Sequence, residues 1–256
     1  MRWLIWLLVL LLVPLLVSTA LVLSTRTQHW SLARWDSTGL APAPAVHPAA
    51  VVQVYAARAW GWKGAVAVHC WVAFKREGAA AYERYEVVGW GVAQGAPAIR
   101  RNLRPPDGRW AGSEPELLVD LRGAAAAAVI PRLEDAIARY PYPHRYVTWP
   151  GPNSNTFVVW LAREVPELHA ALPSTAIGKD FLPGGRLLAP APSGTGFQLS
   201  LAGVLGLTLA LDEGLELNLL GFVVGIAPKQ LAIKLPGLGQ LGWSRSGPDL
   251  APDGLG

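Results

Sequence analysis

The sequence predicts an α+β fold: an antiparallel sheet packed on a helix, behind an N-terminal transmembrane helix and completed by a C-terminal β-hairpin. Three observations predict it. An apolar run occupies Trp3 to Leu23. Period-two alternation, the signature of a strand with two unlike faces, runs from Ala65 to Phe74 and returns after Leu199. Between these stretches, the turn Trp149-Pro-Gly-Pro-Asn-Ser-Asn-Thr-Phe157 leads into the apolar stretch Val158–Val165, as a helix start does.

The first element is set by length. A bilayer core needs about 20 apolar residues of helix, whereas a secretory leader uses about 7–15. Trp3–Leu23 has the longer dimension and is interrupted only by Pro14, Ser18 and Thr19. It reads as a retained signal anchor, residues 1–24, with cleavage after the small residues near Ala20 as the minority reading. Trp3 and Trp6 suit an interfacial belt. Flanking charge is nearly balanced, Arg2 before the run against Arg26 and Arg34 after it. A short tail that stays inside places the rest of the chain on the extracytoplasmic side. Residues 25–49 are polar, then Pro/Ala-rich, and read as an extended tether. Residues 50–239 form the α+β domain, and 240–256 a loose tail.

Composition narrows the function classes. The net charge of +4 is mild, and no basic stripe with interleaved aromatics suggests nucleic acid. The lone cysteine, Cys70, excludes an internal disulfide and a cysteine-rich metal cluster. Its apolar neighbours suit a buried thiol. His29, His47, His144 and His169 lack metal-ligand spacing. No metal and no cofactor are expected.

Within the domain, Val51–Arg58 is a short strand. On the next, Val66, Val68, Cys70, Val72 and Phe74 share one face, and Ala67, His69, Trp71 and Ala73 the other. Lys75-Arg-Glu-Gly78 is a turn, and Tyr82–Trp90 the return strand of a hairpin. Arg100–Trp110 is a loop with four arginines, read as a solvated connection. Leu117–Leu121 is another strand. Ala124–Tyr140 is an Ala-rich helix that kinks at Pro131 or starts near Ile130. A second helix starts at Ser154 or Thr156 and ends near Glu164, before Pro166. Beyond it, leucines alternate with small or polar residues on both sides of Asp212-Glu-Gly214, giving a hairpin over 199–226 that extends or covers the sheet.

One constellation could carry chemistry. Ser154 stands at a helix start, where unpaired N–H groups and the positive dipole end favour developing negative charge. His69 lies on a strand, and Glu86 on the following strand could orient its ring. These are a nucleophile, a base and an orienting group. Asn153 and Asn155 line the same turn, and the Ser154 and Asn155 N–H groups, with the Asn155 amide, could form an oxyanion site. Bland readings stand beside these. Helix caps are the commoner role for such a serine, His69 could simply pack on Trp71, and Glu86 could be a surface partner of Arg84. His144 is a reserve base.

The motifs Trp60, His69-Cys-Trp71, Tyr85-Glu-Val-Val-Gly-Trp90, Tyr140-Pro-Tyr142, Trp149 to Val158, Pro192-Ser-Gly-Thr-Gly-Phe197, Glu213-Gly214 and Asn218-Leu-Leu-Gly221 resemble the bacterial family DUF3750, a domain of unknown function. That resemblance implies no activity. A more distant one is to circularly permuted papain-like hydrolases of the NlpC type and their acyltransferase relatives. There the histidine strand comes first and the nucleophile follows at a helix start, in a pattern like Asn-Cys-x-x-Phe. Asn153-Ser-Asn-Thr-Phe157 has that shape, with Ser154 where that group has cysteine. The resemblance implies an amide or ester hydrolase or acyltransferase at the bacterial inner membrane. The alternative is a catalytically silent domain that binds a lipid, peptide or cell-wall fragment.

Overall fold

The computed structural model describes residues 2–25 and 30–242. Arg26, His29 and the stretch 243–256 therefore lie outside the described residues, as does the side chain of Trp3. The described chain is α+β, with two antiparallel sheets and three α-helices.

The first sheet holds β1 (Val51–Arg58), β2 (Val68–Lys75), β3 (Glu83–Val87), β4 (Ile99–Arg101) and β5 (Glu116–Arg122), in the order β4-β3-β2-β1-β5. Alternation along β1 and β2 gives it two apolar faces. Val52, Val54, Cys70, Val72 and Phe74 lie in one core with Ile130 and Leu133 of α2 (Gly123–Ala138) and Phe157, Val158 and Leu161 of α3 (Ser154–Glu164). Cys70 is fully buried there, and burial pushes its thiol pKa up. On the opposite face Tyr55, Trp71 and Ala73 pack with Trp110 and Trp35. The segment expected as a tether lies on the domain: the Ser37 hydroxyl donates to Asp107 at 2.7 Å, the Ala41 N–H to Asp107 at 3.2 Å and the Tyr82 hydroxyl to Pro42 O at 2.9 Å.

Two sequence expectations shift for physical reasons. Residues 61–65 form a 3-10 turn, so β2 begins at Val68 rather than Ala65. Helix α2 runs from Gly123 through Pro131 to Ala138 rather than starting near Ile130. Pro131 and Ala127 both face solvent, so the carbonyl that loses its helical partner can be hydrated.

The second sheet is larger than a hairpin and separate from the first. It comprises β6 (Leu188–Pro190), β7 (Gly196–Leu201), β8 (Leu205–Ala210), β9 (Gly214–Leu219), β10 (Phe222–Ala227), β11 (Ala232–Leu235) and β12 (Gly239–Gly242), paired in sequential order. Residues 240–242, expected in the tail, belong to its last strand. Its faces are inverted relative to an ordinary half-solvated sheet. Phe197, Leu209, Leu215, Ile226, Ile233 and Leu241 make one cross-strand row, and all are exposed. Gln198, Ser200, Thr208, Glu216, Asn218 and Lys234 project to the other face and are buried.

That buried polar face is paired throughout. Glu216 binds Lys179 and, at 2.6 Å, Lys234. Asn218 donates to Asp180 at 2.7 Å, and Gln198 donates to the other Asp180 oxygen. Buried ions are tolerated only with such partners. Burial pulls the Lys179 ammonium pKa down, but Glu216 and Asp180 outweigh it and leave it raised.

Helix α1 covers Arg2–Thr25, where the sequence places the transmembrane helix. Among the described residues, however, no helix is long and apolar enough to cross a membrane. Instead α1 is stitched to the domain by Ser18, whose buried hydroxyl lies 2.5 Å from Ala65 O and 3.0 Å from Gly237 O.

Candidate functional site

Helix α3 starts where the sequence places it, and the reason is a capping box. Asn153 is the N-cap: its side-chain oxygen accepts the N–H groups of Asn155 at 2.9 Å and Thr156 at 3.2 Å. The Thr156 hydroxyl accepts the Asn153 N–H at 3.2 Å and donates to Gly178 O at 2.8 Å. The Asn153 amide donates to Thr148 O and Ile177 O. The capping role open to Ser154 is thus taken by its neighbour. Ser154 is the first helical residue, and its hydroxyl makes no hydrogen bond among the described residues.

The turn 177–178, which sequence reasoning did not single out, closes this arrangement. A Cβ on Gly178 would lie 2.2 Å from Asn153 Nδ2, and its φ of +94° suits glycine. Asn153 and Gly178 lie 178 − 153 = 25 residues apart, too far for a local sequence signal.

His69 comes from the start of β2. Its Nε2 lies 2.8 Å from Glu86 Oε2 on β3. Glu86 is fully buried rather than a surface carboxylate, and its other oxygen lies 2.9 Å from Arg84 Nε. Arg84 in turn sits 4.1 Å from the Trp71 ring centroid, a cation–π contact. Burial pushes the Glu86 carboxyl up, yet the hydrogen bond from His69 and the Arg84 charge together bring it below its ordinary value. Burial lowers the His69 pKa, partly offset by Glu86, so the ring is neutral at neutral pH. An ionised carboxylate only accepts, which assigns the ring proton to Nε2 and leaves Nδ1 as the basic nitrogen. Trp110 stacks on the imidazole, centroids 3.6 Å apart, and Trp90 stacks on Trp110 at 5.6 Å. Neither tryptophan was legible as a partner of His69.

Both constellations open on one cavity of about 520 Å³, lined by His69, Ser154, Asn153 and Asn155 among others. Trp60, Trp62, Trp90 and Trp149 stand at it with substantial exposure, joined by Leu220 and Phe222 from the second sheet. His69 and Ser154 approach from different sides. His69 shares the sheet face of Trp71, whereas α3 packs on the Cys70 face. They meet around the first residues of β2, where the Asn155 amide donates to Val68 O at 3.0 Å. No hydrogen bond joins His69 to Ser154.

The donors of the two asparagines are engaged. The Asn155 amide donates to Val68 O and Ile177 O, and its N–H goes to the cap. The Asn155 side-chain oxygen is buried without a partner. The Ser154 N–H is left out of the cap and stands at the positive end of α3. His144 is exposed and does not line the cavity. Among the described residues no cluster of His, Cys, Asp or Glu is arranged to hold a metal.

No curated protein matches the chain, and neither does any solved structure. Residues 49–181, which contain β1 to α3 and most of the cavity wall, match the family described as protein of unknown function, DUF3750. That segment is more than half of the chain, which therefore belongs to the DUF3750 family.

Proposed function

We propose that this protein is a membrane-attached hydrolase or acyltransferase of papain-like descent that acts on an amide or ester, with Ser154 where papain-like hydrolases carry cysteine. One observation carries the reading. Asn153 caps α3, so the Ser154 hydroxyl stands at a helix N-terminus, without a protein partner, on the same cavity as a neutral histidine paired to a buried carboxylate. A serine that merely capped the helix would be engaged by it.

In this scheme the Ser154 oxygen attacks the carbonyl carbon and its proton passes to His69 Nδ1. The oxyanion forms against the Ser154 N–H at the positive end of α3. The tetrahedral intermediate collapses, and the proton on His69 goes to the departing amine or alcohol. Water, or the acceptor of a transferase, then displaces the acyl group from Ser154 and returns the proton through His69. Glu86 stabilises the imidazolium, and Arg84 keeps Glu86 ionised.

Attachment through α1 belongs to the same proposal. It rests on the apolar sequence Trp3–Leu23 and on the exposure of Leu8, Leu12, Leu16 and Leu21 along the helix. If the run Trp3–Leu23 crosses the bilayer, an N-terminal tail kept inside puts the domain on the extracytoplasmic side of a bacterial inner membrane.

The test is the release of p-nitrophenol from p-nitrophenyl esters by the purified full chain in detergent. Turnover that falls to background in Ser154→Ala supports the proposal; turnover equal in the variant ends it. A second reading has its own support. His69 and Ser154 come from opposite sheet faces and are not hydrogen-bonded, which suits a silent cavity that holds a lipid, peptide or cell-wall fragment. It predicts no turnover, with ligand binding unchanged in Ser154→Ala.

A further inference from the structure

The second sheet presents its apolar side outward and buries its ionic side. Folding alone favours the reverse, because burying leucine is favourable and burying charge is costly. Scattered exposed leucines are ordinary, but a continuous apolar patch marks an interface. Here two neighbouring cross-strand rows are apolar. One runs from Phe197 to Leu241, and the other joins Leu188, Leu199, Leu207, Leu217 and Val224. Six-residue strands are about 20 Å long, and seven strands spaced about 4.8 Å span nearly 30 Å. Neither row contains a charged side chain.

We propose that this face of the second sheet lies against the acyl chains of a lipid bilayer. Three observations favour lipid over a second copy of the chain. First, α1 adjoins the same sheet through Ser18 and the β11–β12 turn at Gly237, and it too exposes Leu8, Leu12 and Leu16. The same sheet of a second copy stacked on this face would leave that helix uncovered, whereas one hydrocarbon phase covers both. Second, the turn that packs on α1 carries exposed Trp60, Trp62 and Lys63, the residue types that sit at a headgroup boundary. Third, these tryptophans stand at the mouth of the cavity beside Leu220 and Phe222 of the second sheet. A lipid leaving the bilayer along this sheet would reach the cavity past these apolar side chains, which makes an acyl-bearing lipid the substrate or ligand class.

The inference rests in part on the membrane attachment proposed through α1, and the test separates the two. Leu209→Cys, Leu12→Cys and Glu114→Cys are labelled one at a time with an environment-sensitive fluorophore. Cys70 has no exposed surface to compete. Each full chain is reconstituted into phosphatidylethanolamine–phosphatidylglycerol vesicles, with and without doxyl-labelled acyl chains. The expected result is blue-shifted emission and loss of most of the fluorescence to doxyl lipid at position 209, with little loss at position 114. A solvent-exposed label at 209 overturns the inference. So does a label protected from water but not quenched by doxyl lipid, which points to a second copy. Quenching at 12 without 209 leaves attachment through α1 standing alone; quenching at 209 without 12 leaves the sheet standing alone.

Discussion

The side chain of Asn153 accepts the N–H groups of Asn155 and Thr156, and Ser154, between Asn153 and Asn155, is left without a partner for its hydroxyl. The stabilities of two neighbouring variants follow from this. Asn153→Ala removes the cap and leaves the N–H groups of buried Asn155 and Thr156 without their acceptor, a loss of about 2–3 kcal/mol. Ser154→Ala removes a hydroxyl bonded to nothing and stays within about 0.5 kcal/mol of the parent. Urea unfolding of the two variants side by side checks this.

Gly178→Ala should be more disruptive than its size implies. The added methyl would meet the Asn153 amide, and the backbone there is left-handed. A loss of about 2–4 kcal/mol is expected, the range of overpacking combined with backbone strain. A nearly neutral result in the same unfolding assay would show that the Asn153 arrangement yields easily.

His69 and Glu86 both make the fold acid-sensitive. His69 titrates below its ordinary 6.5 in the folded chain. Between that lowered value and pH 6.5 the unfolded chain binds a proton that the folded chain does not, so stability falls as pH falls through this window. Glu86 is also lowered, so its contribution is present above its ordinary 4.5 and is lost on further acidification. Urea midpoints measured from pH 7.5 to 5 should decline, and His69→Gln should flatten that decline.

The buried ionic face of the second sheet depends on Glu216, which serves two lysines. Glu216→Gln leaves both ammonium groups short of a counter-charge, and a cost of about 3–5 kcal/mol is expected. Thermal unfolding in detergent checks it, and a shift of under a degree would contradict the pairing.

Local elements were legible where a single turn or period decides them. β1 stands where its short run of strand-forming residues places it, and α3 starts where the Pro-Gly-Pro turn places it. The inversion of the second sheet was not legible, because alternation defines two faces without saying which is wet. Glu216 and Asn218 are buried because Lys179 and Asp180 reach them from a distant loop, which no local pattern announces. At the site, Ser154 and Asn153 are both good cap residues, so only geometry could decide between them. The Trp110 stack on His69 joins residues far apart in the chain, beyond any local pattern.

The central claim is that the Ser154 hydroxyl is a nucleophile served by His69. Incubation of the full chain in detergent with a fluorophosphonate, followed by peptide mass spectrometry, tests it most directly. The account predicts a phosphonyl adduct on Ser154, absent in Ser154→Ala and strongly reduced in His69→Gln. An unmodified Ser154, or an adduct that forms equally well without His69, would contradict it.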